Sequence, residues 1–298
     1  MAPRATSHLC VTNGMKTFIE NHFGIDPCTI QVLHDCPNSM FFPRSTKDNH
    51  EFLTKIHGKI CAGCPRSWYQ HLDPKNQTLL TEKVSSNEID EMSNYIPRRN
   101  RPALITSSTS WTPDEDFGVL LKALVRLDET LSELQSSLKV VVVVTGKGPQ
   151  KSFYQKEISM IKFNNIAILT LWLEPADYPR LLACADLGIS LHTSTSGLDL
   201  PMKILDNFGS QVPVCAYNFS CLKELVEDDV NGRTFETISE LHDQMLCLLS
   251  PLNEYTGAWP PHSFGDLARY SRKLMGIKRW EQNWREIALP LILASVPQ

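Results

Sequence analysis

Residues 192–214 read HTSTSGLDLPMKILDNFGSQVPV, and the way this stretch links two apolar runs decides the fold. Just before it, residues 185–191 (ADLGISL) read as a buried strand. The chain then breaks into hydroxylated residues and Gly197, and a helical pattern opens at Pro201, in the first turn where proline costs least. Strand, loop and helix N-terminus follow in that order. A helix N-terminus presents unpaired N–H groups and the positive end of its dipole, which suits a phosphate. Lys203 falls in the first turn and Asp206 close to one turn further on, so both side chains face roughly one side. Taken alone they read as a solvated surface pair. Beside the loop they offer a cation for phosphate and a carboxylate for ribose hydroxyls, the needs of a nucleotide-sugar diphosphate.

Working outward, the stretch belongs to a series of alternating strands and helices. Residues 103–107 predict a strand, and the loop 108–113 leads into a helix with Phe117, Leu120, Leu121, Leu124 and Leu127 on one face. Residues 140–144 are an unbroken valine run, as expected of a strand covered on both sides of a parallel sheet. Gly146 and Gly148 close that run and a helix follows. Residues 166–169 predict another strand, 178–185 a helix with Leu181 and Leu182 inward, 212–216 a strand and 222–226 a helix. Such alternation predicts the α/β class, a doubly wound parallel sheet, with ligands at the carboxyl ends of the strands. Nearer the start, 9–12 predicts a short strand, 13–23 a helix ended by Gly24, and 29–33 a buried strand. Residues 44–100 are polar with little sustained periodicity, which predicts a partly ordered insertion or linker.

Composition narrows the function. An apolar content of 42% over 298 residues supports a sizeable core. A net charge of −4 gives no basic surface for nucleic acid, so any phosphate site is local. The longest apolar runs, 140–144 and 287–296, are short of the roughly 20 residues a spanning helix needs. Residues 1–6 hold no apolar core of a signal peptide, so the chain is expected to be soluble by itself. The nine cysteines lack a disulfide-framework spacing, and Cys184 and Cys215 lie in apolar stretches, as thiols of a reducing compartment do. Cys61-Ala62-Gly63-Cys64 has no second ligand pair to make a zinc site and no thioredoxin-like frame for redox work. The sequons at Asn76 and Asn218 are read as chance in a cytosolic chain. The turn Gly146-Lys147-Gly148 lacks the third glycine of a dinucleotide fingerprint and fails the P-loop spacing, which disfavours hydride transfer.

Several longer motifs carry a resemblance. Pro201-Met202-Lys203-Ile204-Leu205-Asp206 followed by Val212-Pro213-Val214 resembles the donor element of GT-B glycosyltransferases, Pro-x-Lys-x-x-Glu and then Pro-Val. With Ser107-Ser108-Thr109-Ser110-Trp111-Thr112, Asp114-Glu115-Asp116-Phe117, Thr145-Gly146-Lys147-Gly148-Pro149 and Ser196-Gly197-Leu198-Asp199-Leu200-Pro201, the chain resembles the β-mannosyltransferases that act on dolichyl-diphosphate chitobiose. The likeness is clear over 101–293 and weaker over 8–43. It implies a nucleotide-sugar-binding domain over 101–298, whose last helices around Trp280, Trp284 and Leu289 cross back to a first domain. Residues 1–43 would be the truncated remnant of that acceptor domain, leaving apolar faces exposed.

The resemblance also implies roles. Lys203 is the first choice for the diphosphate, and Asp206, one carbon shorter than the usual glutamate, for ribose. Lys147, in a turn whose Gly146 and Gly148 let the backbone approach the donor, is a second phosphate partner, or an exposed lysine on a tight turn. Ser108, Thr109, Ser194, Thr195, Ser196 and Gly197, with Leu198 and Asp199, would present hydroxyls and amides, although helix capping explains any one of them equally. Trp172 either stacks on guanine or belongs to the core. His192 either touches phosphate or is structural, and Glu224 supports structure. The loop 110–116 departs from many relatives, being hydroxylated and then acidic where they place Arg and Lys, so positive charge must come from elsewhere. Asp114 or Glu115 would favour the next helix start.

The reaction so implied moves mannose from GDP-mannose to dolichyl-diphosphate chitobiose with inversion, at the cytosolic face of the endoplasmic reticulum membrane. It needs a base for the acceptor hydroxyl, which no residue here identifies, and a stabilised GDP leaving group. No cofactor or metal cluster is indicated. A second reading makes the chain a non-catalytic nucleotide-sugar-binding or regulatory module associated with glycosyltransferase partners.

Overall fold

The computed structural model describes residues 5–84, 94–254 and 265–294. Its centre is a six-stranded, all-parallel sheet built from β5 (Ala103–Ser108), β6 (Val140–Thr145), β7 (Ile166–Leu171), β8 (Leu187–Ser190), β9 (Val214–Tyr217) and β10 (Gly232–Phe235). The order β10-β9-β8-β5-β6-β7 runs outward in both directions from the β5/β8 pair, so the chain reverses direction across the sheet there. Such a switch point leaves a crevice at the strands' carboxyl ends. Register follows the valine run: Ala103 pairs with Val140 and Ser108 with Thr145, while Val140 pairs with Ile166.

Alternation along β6 explains the two apolar layers. Val140, Val142 and Val144 enter one cluster with α3 (Phe117–Glu133), α7 (Ile238–Leu249) and α8 (Gly265–Leu274). Val141 and Val143 enter the other with α2 (Thr46–Cys61) and α5 (Tyr178–Leu182). The expectation for 44–100, a partly ordered insertion or linker, does not include its longest element. The segment holds a 16-residue helix, α2, whose Phe52, Leu53, Ile56 and Ile60 cover the second face of the sheet. Burial follows a helical spacing, but Asn49, His50 and Cys61 occupy buried positions and hide the period. A two-stranded antiparallel pair, β3 (Thr81–Lys83) and β4 (Tyr95–Pro97), sits beside it, with the buried His50 ring 2.9 Å from the Thr81 hydroxyl.

Residues 8–34 form a parallel pair, β1 (His8–Cys10) and β2 (Ile30–Val32), around α1 (Asn13–Phe23). Gly24 ends α1 at φ 62°, where a side chain would be strained. The remaining helices are α4 (Lys151–Met160), α6 (Met202–Gly209), α9 (Trp280–Asn283) and α10 (Leu289–Ala294). The last two join through one π-helical turn, Trp284–Ala288, and the Trp280 N–H donates to the Pro37 carbonyl at 3.3 Å. Leu289, Ile292 and Leu293 are exposed.

Two expected helices are smaller than read. α5 stops at Leu182, because the chain turns into β8 with Asp186 buried as acceptor of Arg101 and the Leu104 N–H. Residues 222–224 form one 3-10 turn that aims Glu224 at the start of α1. Its carboxylate accepts the Asn13 and Gly14 N–H groups at 2.7 and 3.0 Å and lies 2.9 Å from His34 Nε2. Among the described residues no helix is long and apolar enough to cross a membrane.

Candidate functional site

Where β5, β6 and β7 end, their loops meet the face of α6 around a cavity of about 450 Å³. Ser108 and Thr109 line it from β5, Thr145, Gly146 and Lys147 from β6, Trp172 from beyond β7, Tyr178 from α5, and Lys203 and Asp206 from α6. Seven of the sequence-predicted residues therefore surround one space: Ser108, Thr109, Gly146, Lys147, Trp172, Lys203 and Asp206.

The glycine turn has a local reason. A Cβ on Gly148 would lie 1.7 Å from the Ser110 carbonyl oxygen, and one on Gly146, at φ 124°, 1.9 Å from that of Thr109. Both glycines admit the neighbouring loop's backbone, and Gly148 does not line the cavity. That neighbouring loop is pinned by Trp111, fully buried against Phe117, with its N–H donating to the Thr109 hydroxyl.

Trp172 is 53% exposed, which removes the core alternative. Lys147 Nζ lies 3.8 Å from the centre of its ring, a cation–π contact on the cavity wall. At the cavity floor the Ser108 hydroxyl lies 2.9 Å from both the Thr145 hydroxyl and the Tyr178 hydroxyl. Asp206 faces Tyr178 across this floor. Burial pushes the Asp206 carboxyl up to about 7 against the lowering effect of the phenol, and burial pushes the Tyr178 phenol up as well.

Lys203 reaches the cavity wall, and its ammonium is bonded to Glu115 rather than to Asp206. Glu115 is 3% exposed, accepts the Ser110 N–H at 2.5 Å, and lies 3.8 Å from His192 Nδ1. Burial raises the Glu115 carboxyl, but the nearby His192 ring, the hydrogen bonds from Lys203 and Ser110 and the Lys203 charge outweigh it and hold the group at about 2. His192 also lies 3.3 Å from Asp199 through Nε2, and its imidazole is raised by Glu115 first, against burial, with Asp199 adding to the rise. Sequence reading gave Glu115 only a helix-start preference and gave Tyr178 no role. The one signal for Glu115 was its acidity in a loop where a phosphate site calls for cations, since a buried acid requires a cation elsewhere.

The predicted loop 194–199 stands apart from the cavity and satisfies itself. Ser194 and Ser196 donate to Asp199, the Gly197 N–H donates to Ser194 Oγ at 2.7 Å, and Leu198 accepts from the Thr12 hydroxyl at 2.6 Å. Thr195 is exposed and Gly197 sits at φ 70° with the Ser220 hydroxyl beside it. Pro201 precedes α6 as its cap, one residue earlier than read, and no side chain caps that helix's first turn.

Comparison with known proteins places these observations in a context. The model of the family described as glycosyl transferases group 1 matches residues 101–251. The UDP-glycosyltransferase TURAN of Arabidopsis thaliana is 36% identical over 99% of this chain and 64% of its own length. The human chitobiosyldiphosphodolichol beta-mannosyltransferase is 39% identical over 96% of this chain and 58% of its own. The chain thus spans less than two thirds of these curated relatives. Among solved structures, a glycosyltransferase from Rickettsia africae superposes with a TM-score of 0.63 at 15% identity, covering 98% of this chain and 64% of that one. Anabaena Alr3699/HepE in complex with UDP-glucose gives 0.60 at 16%, covering 97% and 64%. At those identities the structures bear on the fold alone.

Proposed function

The chain belongs to the group 1 glycosyl transferases, and from that premise we propose that its cavity binds GDP-mannose and serves mannose transfer to dolichyl-diphosphate chitobiose. The observation that carries the proposal is the convergence of Lys203, Asp206, Lys147 and Trp172 on one cavity at the sheet's switch point. Each meets one part of such a donor. Lys203 and the uncapped first turn of α6 take the diphosphate. The Asp206 carboxylate accepts ribose hydroxyls, and the open face of Trp172 stacks on the base.

Transfer with inversion needs a base for the acceptor hydroxyl and stabilisation of the departing GDP. The residues named here supply the second. The relatives' names agree on glycosyl transfer but not on the nucleotide, since one is called a UDP-glycosyltransferase. The cellular place in this proposal is the cytosolic face of the endoplasmic reticulum membrane.

Calorimetric titration with GDP, GDP-mannose and UDP tests the donor. Binding of GDP and GDP-mannose in preference to UDP is expected, and preference for UDP overturns the nucleotide assignment. A radiolabelled transfer assay with a lipid-linked chitobiose analogue then separates an enzyme, which labels the acceptor, from a module that only binds the donor.

A further inference from the structure

We infer that Glu115 is the positioning residue of this site: its carboxylate fixes the Lys203 ammonium at the cavity wall and couples it, through His192, to the loop 193–199. The inference rests on the reading of the cavity as a diphosphate site. Nothing in that reading requires a carboxylate, and a negative charge beside a phosphate subsite is on its face unfavourable.

Three separate segments meet on this one group. The Ser110 N–H donates to Oε2 from the loop after β5, Lys203 donates to Oε1 from the first turn of α6, and His192 approaches from the end of β8. His192 passes the connection on through Nε2 to Asp199, which accepts from Ser194. The Thr193 hydroxyl and N–H add a parallel tie by donating to the Asp114 carbonyl at 2.5 and 3.3 Å. Loop 193–199, which does not reach the cavity, is thereby tied to the lysine that does.

A lysine has four rotatable bonds and loses much rotamer freedom when its ammonium is held. Glu115 sits behind Lys203, nearly fully buried, so this cost is met in folding instead of on ligand arrival. Lys203 remains partly open to the cavity, with 29% of its side chain exposed, and keeps N–H donors for an incoming oxygen. His192 has a carboxylate near each ring nitrogen, Glu115 at 3.8 Å from Nδ1 and Asp199 at 3.3 Å from Nε2.

Two explanations make opposite forecasts for Glu115→Gln. If the carboxylate acts only as nearby negative charge, its removal tightens GDP binding. If it positions Lys203, removal loosens it. Titration of GDP into wild type, Glu115→Gln, Glu115→Asp, Lys203→Ala and the Glu115→Gln/Lys203→Ala double variant decides between them. Positioning predicts about tenfold weaker GDP binding for Glu115→Gln, partial rescue to about threefold by Glu115→Asp, and a double variant no weaker than Lys203→Ala alone. Unchanged or tighter binding in Glu115→Gln, or losses that multiply in the double variant, overturns the inference. A purely structural Glu115 would lower the melting temperature of Glu115→Gln and leave GDP affinity of the folded protein untouched. Should Glu115→Gln not fold, Glu115→Asp against Lys203→Ala is judged by the same comparison. Absence of GDP binding by wild type is seen before any variant is compared, and it removes the site reading together with this inference.

Discussion

Replacement of Gly148 by alanine tests how the cavity is held open. The added Cβ would sit 1.7 Å from the Ser110 carbonyl oxygen and 2.9 Å from Trp111 Cβ. Ordinary contact begins near 3.4 Å, so the two loops must separate by about 3.4 − 1.7 = 1.7 Å, or one of them must break its hydrogen bonds. Neither loop yields easily. Trp111 is locked in the core, its carbonyl accepts the Gln150 N–H at 3.1 Å, and the Thr109 N–H donates to the Thr145 carbonyl at 2.9 Å. Overpacking of this kind costs about 1–3 kcal/mol and occasionally more. With backbone as the obstacle, the upper figure applies, a fall of roughly 5 °C in the thermal midpoint for a chain of this size. The same shift moves Ser108, Thr109 and Lys147 apart, so GDP affinity falls about tenfold or more in calorimetry. A variant with unchanged melting and unchanged GDP affinity would show that this loop contact is not what shapes the cavity.

Trp172→Ala should leave stability within about 0.5 kcal/mol, since the ring is 53% exposed, while GDP binding loses roughly 1–3 kcal/mol of stacking in the same titration. Asp206→Asn should raise the melting temperature at pH 8. The folded carboxyl is raised to about 7, so its favourable contribution is complete below its ordinary value near 3.8 and lost as pH rises through about 7. Removing that charge recovers on the order of 2 kcal/mol, and no gain at pH 8 would contradict the burial argument. GDP affinity of wild type should rise more steeply between about pH 6 and 8, as Asp206 ionises, than that of Asp206→Asn, in which the terminal phosphate of GDP still titrates. Glu224→Gln should destabilise by about 2 kcal/mol and speed hydrogen exchange in α1. Burial raises Glu224, but bonds from Asn13, His34 and Gly14 hold it at about 2, so its contribution is present above about pH 4.5 and disappears as pH falls toward 2.

The parts of the fold that were legible from sequence are those whose signal is local. The valine run of β6, the apolar face of α3 and the left-handed glycine that ends α1 each announce themselves within a few residues. α2 was not legible, because Asn49 bonds the Ala183 carbonyl and His50 faces Thr81, so polar residues fill positions that the sheet buries. Residues 222–224 have helical composition, but Glu224 is committed to α1, 210 residues away in sequence, and the chain turns only once. In the site, the spacing of Lys203 and Asp206 on one short helix could be read directly. Its electrostatic partner could not, since Glu115 and Lys203 are separated by 88 residues. The hydroxylated loop 194–199 is ambiguous for a related reason. Serines near a helix start suit a ligand or their own turn equally well, and Asp199 supplies the turn.

These partnerships bear on how the proposed transfer would be driven. Both lysines of the cavity already have a partner: Lys203 is bonded to Glu115, and Lys147 lies over Trp172. A diphosphate arriving at this cavity therefore meets a Lys203 ammonium already oriented by Glu115 and bonds to its remaining N–H donors. The charge that grows on the diphosphate as the sugar departs draws on that fixed ammonium progressively more strongly. An interaction that strengthens along the reaction lowers the barrier, whereas one already at full strength with the intact donor only tightens binding. In the proposed reaction the acidic loop after β5, by fixing Lys203 through Glu115, therefore sets up the ammonium that stabilises the leaving group.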